Sequence, residues 1–255
     1  MFVDSHCHLD FPGLAENLSQ IFDRMSHNRV GHALCVSVNM PDWPNLIQLV
    51  EHHAQLWASV GVHPDYEDTE EPTVDDLVRK SQHPRVVAIG ETGLDYYRLT
   101  GDLEWQRDRF RTHIRAAREA DLPLIIHTRS SAEDTLKIMR EENAHEVGGV
   151  MHCFTENWDV AQAAMEMGFY ISFSGIVTFK NAVSLQEVAR KISLDKMLIE
   201  TDSPFLAPVP YRGKTNDPSL VIHVAEKIAE LRGTSLKQIE DVTTQNFFNL
   251  FNKIN

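Results

Sequence analysis

The chain has 255 residues, of which 42% are hydrophobic and 24% charged, a balance that supports a large buried core and excludes disorder as the main state. Its formal net charge of −13 excludes recognition of nucleic acid through a broad basic surface, because that mode needs many Lys and Arg contacts to phosphate. A phosphate-bearing substrate is not excluded, since bound metal ions can supply local positive charge.

Short β-branched or apolar segments recur along the chain and are predicted strands, separated by stretches with helical spacing of apolar residues. This alternation implies parallel strands joined by right-handed crossovers. Eight such units close a barrel more naturally than an open sheet, so we predict a (β/α)₈ barrel of the α/β class. The predicted strands are Phe2 to His8, Val30 to Val38, Leu56 to Val62, Val86 to Glu91, Leu124 to Thr128, Gly149 to Phe154, Tyr170 to Ser174 and Met197 to Asp202.

Apolar periodicity predicts helices that form the outer layer of this barrel. The clearest are Leu103 to Ala120, Ala132 to Glu142, Asn181 to Ile192, Ser219 to Leu231 and Ser235 to Phe251. Length alone would allow two small domains, but no linker or low-complexity segment divides the chain, so we predict one domain over residues 1–255. The longest stretch without a periodic pattern, Pro208 to Pro218, is predicted to be a substrate loop.

Several candidate metal ligands fall at one end of the predicted strands. His6 and His8 form an H-x-H pair on the first strand, where the two-residue period puts both rings on one face. Four further N and O donors end strands four, five, six and eight, and the corresponding ends of barrel strands converge on one mouth. Such a cluster is costly unless metal ions neutralise it. The candidate ligands are His6, His8, Glu91, His127, His152 and Asp202.

Six ligands exceed what one catalytic ion needs and favour two ions about 3.5–4 Å apart that share a bridging carboxylate. We assign His6, His8 and Asp202 to the first ion, His127 and His152 to the second, and Glu91 to the bridge. Asp202 is also the predicted general base for an attacking water, which makes Asp202 and Glu91 the catalytic pair. Mg²⁺, Mn²⁺, Zn²⁺ and Co²⁺ are all compatible with this mixed ligand set.

Other polar residues near the strand ends are candidates for supporting or substrate-binding roles. Asp4 and Glu200 lie two residues deeper than His6 and Asp202, where a carboxylate could hydrogen-bond a ligating group, although a buried structural role is equally compatible. His63, in a Gly-Val-His-Pro segment, is predicted to contact substrate. Arg129, Arg212 and Lys214 could bind substrate phosphate, although a solvent-exposed position without function is the commoner role of any one such cation. In the segment Asp95, Tyr96 and Tyr97, an aromatic ring could stack on a base, and a packing role is equally compatible.

The remaining histidines and the cysteines are not assigned to the site. We predict solvent-facing positions, in helices or turns, for His27, His32, His52, His53, His83, His113, His145 and His223. Cys7 and Cys153 are expected to face away from the neighbouring histidines as small buried residues. The chain has only three cysteines, which predicts reduced thiols. Its first residues do not resemble a signal peptide, and no apolar segment is long enough to span a membrane, so we predict a cytoplasmic protein with no membrane partner.

Ordered segments of the chain resemble the signature blocks of the TatD family of metal-dependent hydrolases, in particular its YcfH-type branch. These segments are Val3-Asp4-Ser5-His6-Cys7-His8-Leu9-Asp10, Gly61-Val62-His63-Pro64, Gly90-Glu91-Thr92-Gly93-Leu94-Asp95, His127-Thr128-Arg129, His152-Cys153-Phe154 and Glu200-Thr201-Asp202-Ser203-Pro204. The resemblance implies an amidohydrolase-like barrel, divalent-metal dependence and deoxyribonuclease activity of the 3′-to-5′ exonuclease type. DNA ends or single strands would then be the substrate, and no obligate protein partner is evident.

Two alternatives remain open at the level of sequence. The same barrel could hydrolyse an ester or amide such as a lactone or aminoacyl ester, although Glu91 stands where many amidohydrolases carry a lysine. A metal-binding protein without turnover is the second alternative, and Asp202 as a spare base argues against it.

Overall fold

The computed structural model describes residues 1–254, so Asn255, the predicted end of the domain, lies outside the described residues. Eight parallel strands pair in sequence order from β1 to β8, which confirms the predicted (β/α)₈ barrel. The strands are β1 Phe2–Cys7, β2 Val30–Cys35, β3 Leu56–Val60, β4 Val86–Asp95, β5 Leu124–Arg129, β6 Gly149–Met151, β7 Tyr170–Phe173 and β8 Met197–Ile199.

The first and last strands meet through the segment that follows β8. The backbone N–H of Asp202 donates to the carbonyl of His6, and that of His8 donates to the carbonyl of Ser203, both at 2.9 Å. Cys7 and Ser203 form an isolated parallel bridge at the same place. The barrel therefore closes directly beside the predicted ligands His6, His8 and Asp202.

Helices follow the strands and cover the barrel, with the predicted helices confirmed to within two residues at each end. Their boundaries are α1 Leu18–His27, α2 Trp43–His52, α3 Val74–Ser81, α4 Glu104–Ala120, α5 Ala132–Glu141, α6 Trp158–Glu166, α7 Val183–Lys191, α8 Val221–Arg232 and α9 Leu236–Leu250. Local capping fixes several starts: Thr73 and Asp76 form a capping box at α3, and Ser235 accepts from the Gln238 N–H at α9. Within residues 1–254, no helix is long and apolar enough to cross a membrane.

Helix α9 covers the amino-terminal end of the barrel. Phe247 and Phe251 join a buried cluster with Val3, Val150 and Leu198, each of which is the second residue of its strand. Apolar side chains therefore close the amino-terminal end of the barrel. The polar groups at the carboxyl ends of the strands lie at the opposite mouth.

All eight predicted strand ends differ from the structure by one to four residues, and those of β2, β4, β6 and β8 differ by three or four. β4 continues four residues beyond Glu91 to Asp95, and its register against β5 shifts between Ile89 and Thr92. β6 and β8 are shorter than predicted, so His152 and Asp202 lie in the segments after the strands. Hydrophobic patterning does not distinguish a ligand at the end of a strand from one in the following loop, because the loop positions are shielded here as well: His152 is buried and Asp202 is half-buried.

Candidate metal centre

Glu91 lies at the centre of the group of predicted ligands and is 2% exposed. Its Oε1 lies 2.7 Å from His152 Nε2, 3.2 Å from His127 Nδ1 and 3.4 Å from His63 Nε2. Its Oε2 lies 3.3 Å from His6 Nε2. One carboxylate thus faces donors from both sides, the arrangement expected of a bridging ligand.

On one side of Glu91, the ends of β1 and β8 bring together His6, His8 and Asp202. The two Nε2 atoms of His6 and His8 are 3.3 Å apart, and Asp202 Oδ1 lies 3.5 Å from His8 Nε2 and 3.8 Å from His6 Nε2. His152 stacks on His6 with 3.9 Å between ring centroids.

Three sets of donor atoms lie within 4.8 Å of one another: His6 with His152 and Asp202, His6 with His8 and Glu91, and His63 with Glu91 and His127. This grouping differs from the predicted division of ligands, because it places His152 with His6 and brings His63 into the cluster. The stacking of His152 on His6, which places His152 beside β1, could not be predicted from the sequence.

The hydrogen bonds behind the rings decide which nitrogens can bind a cation. His8 Nδ1 lies 3.0 Å from the carbonyl of Val36, an acceptor only, so Nδ1 carries the hydrogen and Nε2 keeps a free lone pair. His127 Nε2 lies 3.0 Å from Asp95 Oδ2, which leaves its Nδ1 lone pair directed at Glu91. Both rings are therefore held in the tautomer that a metal ligand requires.

Buried donor atoms without hydrogen bonds support the same conclusion. Among residues 1–254, His6 Nδ1 has no hydrogen-bond partner. Both ring nitrogens of His152 meet only carboxylate oxygens, without hydrogen-bond geometry: Nε2 lies 2.7 Å from Glu91 Oε1 and Nδ1 lies 3.3 Å from Glu200 Oε1. Buried polar atoms of this kind are costly unless something satisfies them, and imidazole nitrogens beside carboxylates suit divalent transition metals. The residues present fit one or more such ions.

His63 differs from the other histidines of the cluster. The backbone N–H of Asp65 donates to His63 Nδ1 at 3.1 Å, so the neutral ring carries its hydrogen on Nε2. That nitrogen faces His127 Nδ1 at 3.3 Å and Glu91. His63 is therefore arranged as a hydrogen-bond donor into the site, despite its position among the candidate ligands.

Charge interactions set the protonation of the ion-free cluster. Burial raises the pKa of Glu91, but the neighbouring His152, His63 and His6 outweigh this and hold it well below its usual value. Burial lowers the pKa of His152, whereas the carboxylates of Glu91 and Glu200 raise it well above 6.5. For His6 and His63, burial dominates and lowers the pKa. Protons thus occupy part of the space that cations would take.

A family model described as TatD related DNase matches residues 3–252. The chain belongs to the TatD family. Among its TatD-family relatives, the Escherichia coli K12 uncharacterized metal-dependent hydrolase YcfH is 44% identical over 98% of this chain and 95% of its own length. The Bacillus subtilis uncharacterized metal-dependent hydrolase YabD is 42% identical over 98% of this chain and 99% of its own. The solved structure of the E. coli TatD homolog YjjV superposes with a TM-score of 0.91, at 28% identity and 98% coverage of both chains.

The mouth of this TatD-family barrel contains a cavity of about 560 Å³ above the cluster. Two predicted substrate residues, His63 and Arg129, line it. The loop predicted to bind substrate, Pro208 to Pro218, does not, and its neighbours Phe205 and Leu206 line the wall instead. Arg212 is exposed and lies over the Phe179 ring, so its predicted substrate contact is not supported; Lys214 likewise packs near Tyr211.

Asp95, a predicted substrate residue, does not line the cavity. Asp95 is fully buried on β4, behind His127. Burial raises its pKa, but hydrogen bonds from His127 and from the backbone N–H groups of Arg98 and Tyr97 lower it to about 2. Asp95 therefore orients a ligand. The sequence predicted a loop at Asp95, whereas β4 continues through this residue.

Neither Tyr96 nor Tyr97 lines the cavity, and Tyr96 has the packing role that the sequence left open. The Tyr96 hydroxyl donates to Asp134 Oδ2 at 2.7 Å and accepts from Arg107, so this side chain points between helices and away from the cavity. Tyr97 is 66% exposed, and Arg129 lies over its ring at 4.0 Å. Tyr97 thus contacts the guanidinium of Arg129 and does not line the cavity.

The two predicted supporting carboxylates have different partners. Glu200 accepts from the Cys153 N–H at 2.7 Å and faces His152, as expected of a group that orients a ligand. Asp4 accepts from the N–H groups of His6 and Thr201 and from the Thr201 hydroxyl, so it supports the backbone instead of a ligating ring.

Cys153 lines the cavity and is only partly buried, contrary to the prediction that it faces away. β6 ends at Met151 and Cys153 has a φ of 41°, so strand alternation does not extend to it. Cys7 is buried as predicted, with its Sγ 3.8 Å from that of Cys35.

The sequence reasoning missed a buried polar strip on α4 that holds the loop carrying His63. Arg109 donates to the carbonyls of His63 and Tyr66, and Gln106 donates to that of Pro64. His113, predicted to face solvent, is fully buried and accepts from the Val62 N–H at 3.0 Å. His32 was also misplaced, because it lies on β2. Polar residues on the otherwise apolar face of the predicted helix, here Gln106, Arg109 and His113, are the pattern in the sequence that indicates such a strip.

Proposed function

We propose that this chain is a metal-dependent deoxyribonuclease that removes nucleotides from strand ends in the 3′-to-5′ direction, using two divalent cations. The observation that carries the proposal is Glu91, whose two oxygens face separate groups of donors: His6 on one side, and His127 and His152 on the other. The match to the TatD related DNase family supports a phosphodiester as the bond that is cleaved.

One cation would be held by His6, His8 and Asp202, and the other by His127 and His152, with Glu91 shared between them. Because His152 stacks on His6, His152 could also bind the first cation. When bound, divalent cations activate water and neutralise the charge that develops on a phosphoryl group. Mg²⁺, Mn²⁺, Zn²⁺ and Co²⁺ remain the candidates.

Asp202 and His63 would act on the reacting groups. Burial raises the pKa of Asp202, but the hydrogen bond with His8 and the charges of His6 and His152 lower it below its usual value, so the carboxylate is ionised at neutral pH. It can accept the proton of the attacking water as the water oxygen bonds to phosphorus and the bond from phosphorus to the 3′ oxygen breaks; the departing 3′ oxygen takes up a proton from solvent to give the 3′-hydroxyl end. The Nε2–H of His63 can donate a hydrogen bond to a phosphoryl oxygen.

The dimensions and charge of the mouth favour strand ends. A volume of about 560 Å³ lies within the range of roughly 300–1,000 Å³ that small-molecule pockets have, so it suits one nucleoside unit better than a duplex. The net charge of −13 argues against a basic track for intact duplex. We also place the protein in the cytoplasm, because Cys7, Cys35 and Cys153 are free thiols.

The test is turnover by ion-free and metal-reconstituted protein on end-labelled single-stranded and double-stranded DNA, with the products resolved by length. An esterase and amidase panel is run on the same preparation. We expect metal-dependent release of mononucleotides from 3′ ends and little nicking of closed circles. Metal-dependent turnover of esters or amides alone would replace the nuclease proposal by the alternative hydrolase. Undiminished cleavage after complete metal removal would contradict the metal mechanism.

A further inference from the structure

The cavity above the metal centre has two chemically different sides. Phe11, Ile176, Phe205 and Leu206, from the segments after β1, β7 and β8, form what we term the apolar sector. Arg98 and Arg129, after β4 and at the end of β5, form the cationic sector. Because the strands pair in order around the barrel, the segments after β7, β8 and β1 are neighbours and lie across the mouth from those of β4 and β5.

The aromatic rings of the apolar sector begin beside the candidate ligand His8 and continue outward from it. Phe11 stacks on the His8 ring at 4.7 Å between centroids, and Phe205 meets Phe11 edge to face at 6.3 Å. Phe205 remains 53% exposed although it lines the cavity. An exposed phenyl ring beside a polar centre leaves apolar surface that a flat, apolar-faced ligand group would cover.

Arg129 is the cation of the opposite side that is free to bind an anion. Its guanidinium lies 4.0 Å from the centroid of the Tyr97 ring, and among residues 1–254 no carboxylate lies within ion-pair distance of it. Arg98, by contrast, already pairs with Asp65, which also lines the cavity. A phosphate would therefore gain more at Arg129.

From this asymmetry we infer that the apolar sector binds the base of the terminal nucleoside, stacked against Phe205 and Phe11, while Arg129 binds the next phosphate of the continuing strand. The inference rests on the proposed exonuclease function and adds the direction in which substrate lies. A terminal nucleoside has no phosphate beyond the scissile one, so it fits the side without cations. The rest of the strand carries further phosphates and fits the side that has one.

The stacking half is tested with two matched ligand pairs on metal-reconstituted protein. The first pair is an oligonucleotide with a normal or an abasic 3′-terminal residue, compared by kcat/KM. The second is deoxyadenosine 5′-monophosphate against deoxyribose 5-phosphate, compared by calorimetric Kd. Base stacking on an aromatic side chain predicts a preference for the base of about 5- to 150-fold in wild-type protein. Phe205→Ala should move both ratios toward one.

Val209→Ala is the matched control, because Val209 lies four residues further along the same loop, is 45% exposed and does not line the cavity. It should retain the wild-type ratios. For the cationic sector, wild-type protein should cleave a dinucleotide with a 5′-phosphate faster than one without, and Arg129→Gln should lose that preference.

Equal wild-type rates on normal and abasic ends, with DNA still hydrolysed, would overturn this inference and leave the proposed function intact. A base preference that survives Phe205→Ala would place the base elsewhere and also overturn it. Absence of any DNA hydrolysis by metal-loaded protein would reject the proposed function itself, and equal Kd values for the two phosphates would then reject the base site independently of turnover.

Discussion

Asp95→Asn should disable the metal site through the tautomer of His127, although Asp95 is no ligand in the predicted set. Asp95 Oδ1 accepts from the N–H groups of Tyr97 and Arg98 at 2.9 Å, and Oδ2 faces His127 Nε2 at 3.0 Å. The two backbone donors would hold the amide oxygen of an asparagine in the Oδ1 position. Its NH₂ group would then face His127 Nε2, so the ring hydrogen moves to Nδ1, the atom that faces Glu91.

To bind a cation, His127 must return to its original tautomer, which loses one hydrogen bond and leaves two donors facing each other. Lost and unsatisfied buried hydrogen bonds together cost about 2–3 kcal/mol. This corresponds to roughly 30- to 150-fold weaker metal binding at the His127 position. The fold should survive, because the side-chain oxygen of residue 95 still accepts from the N–H groups of Tyr97 and Arg98.

The assay is calorimetric titration of ion-free protein with Zn²⁺ and Co²⁺, together with rate against metal concentration. We expect one weakened binding step and recovery of rate at high metal. Asp134→Asn is the control, since it removes the same charge from a nearby carboxylate that only contacts Tyr96 and Arg107. Wild-type affinity in Asp95→Asn would refute the view that Asp95 sets the tautomer of His127.

Three further outcomes are expected. Asp202→Asn should keep most of its bound metal but lose about 100-fold or more in turnover, and excess metal should not restore the rate. His152→Ala should instead lose bound metal, and its turnover should partly recover when metal is added in excess. Elemental analysis combined with rate measurements over a range of metal concentrations distinguishes the two outcomes. The pKa of His152 lies well above 6.5 in the ion-free protein, because nearby carboxylates outweigh burial. Cation binding near pH 7 should therefore release protons and strengthen as pH rises, which calorimetry in buffers of different ionisation heat measures; a heat independent of buffer would contradict it. Arg109→Met should lower the free energy of unfolding by about 2–4 kcal/mol, because buried carbonyl groups such as that of His63 lose their hydrogen-bond donor. Arg109→Lys should recover part of this free energy. Urea unfolding measures the change, and an unchanged midpoint would contradict the prediction.

Local pattern was sufficient for the architecture and for the ligand candidates. Apolar segments of strand length alternating with amphipathic helices can bury their surfaces in few ways, so the parallel barrel followed from periodicity. The H-x-H pair and the polar residues at the ends of apolar segments pointed to one mouth, because the carboxyl ends of barrel strands converge. These inferences depend on spacing within one element or on a geometry shared by all barrels.

Tertiary structure alone decided the partners of each side chain, because hydrogen bonds between distant segments leave no trace in local periodicity. Asp95 and Tyr96 are adjacent in sequence, yet one lies behind His127 and the other points between helices. The tautomer of His127 depends on Asp95, on a different strand, and the position of the His63 loop depends on Arg109, far along the chain. Sequence identified which groups reach the mouth, and the packing around them determined which nitrogen, oxygen or ring faces the substrate.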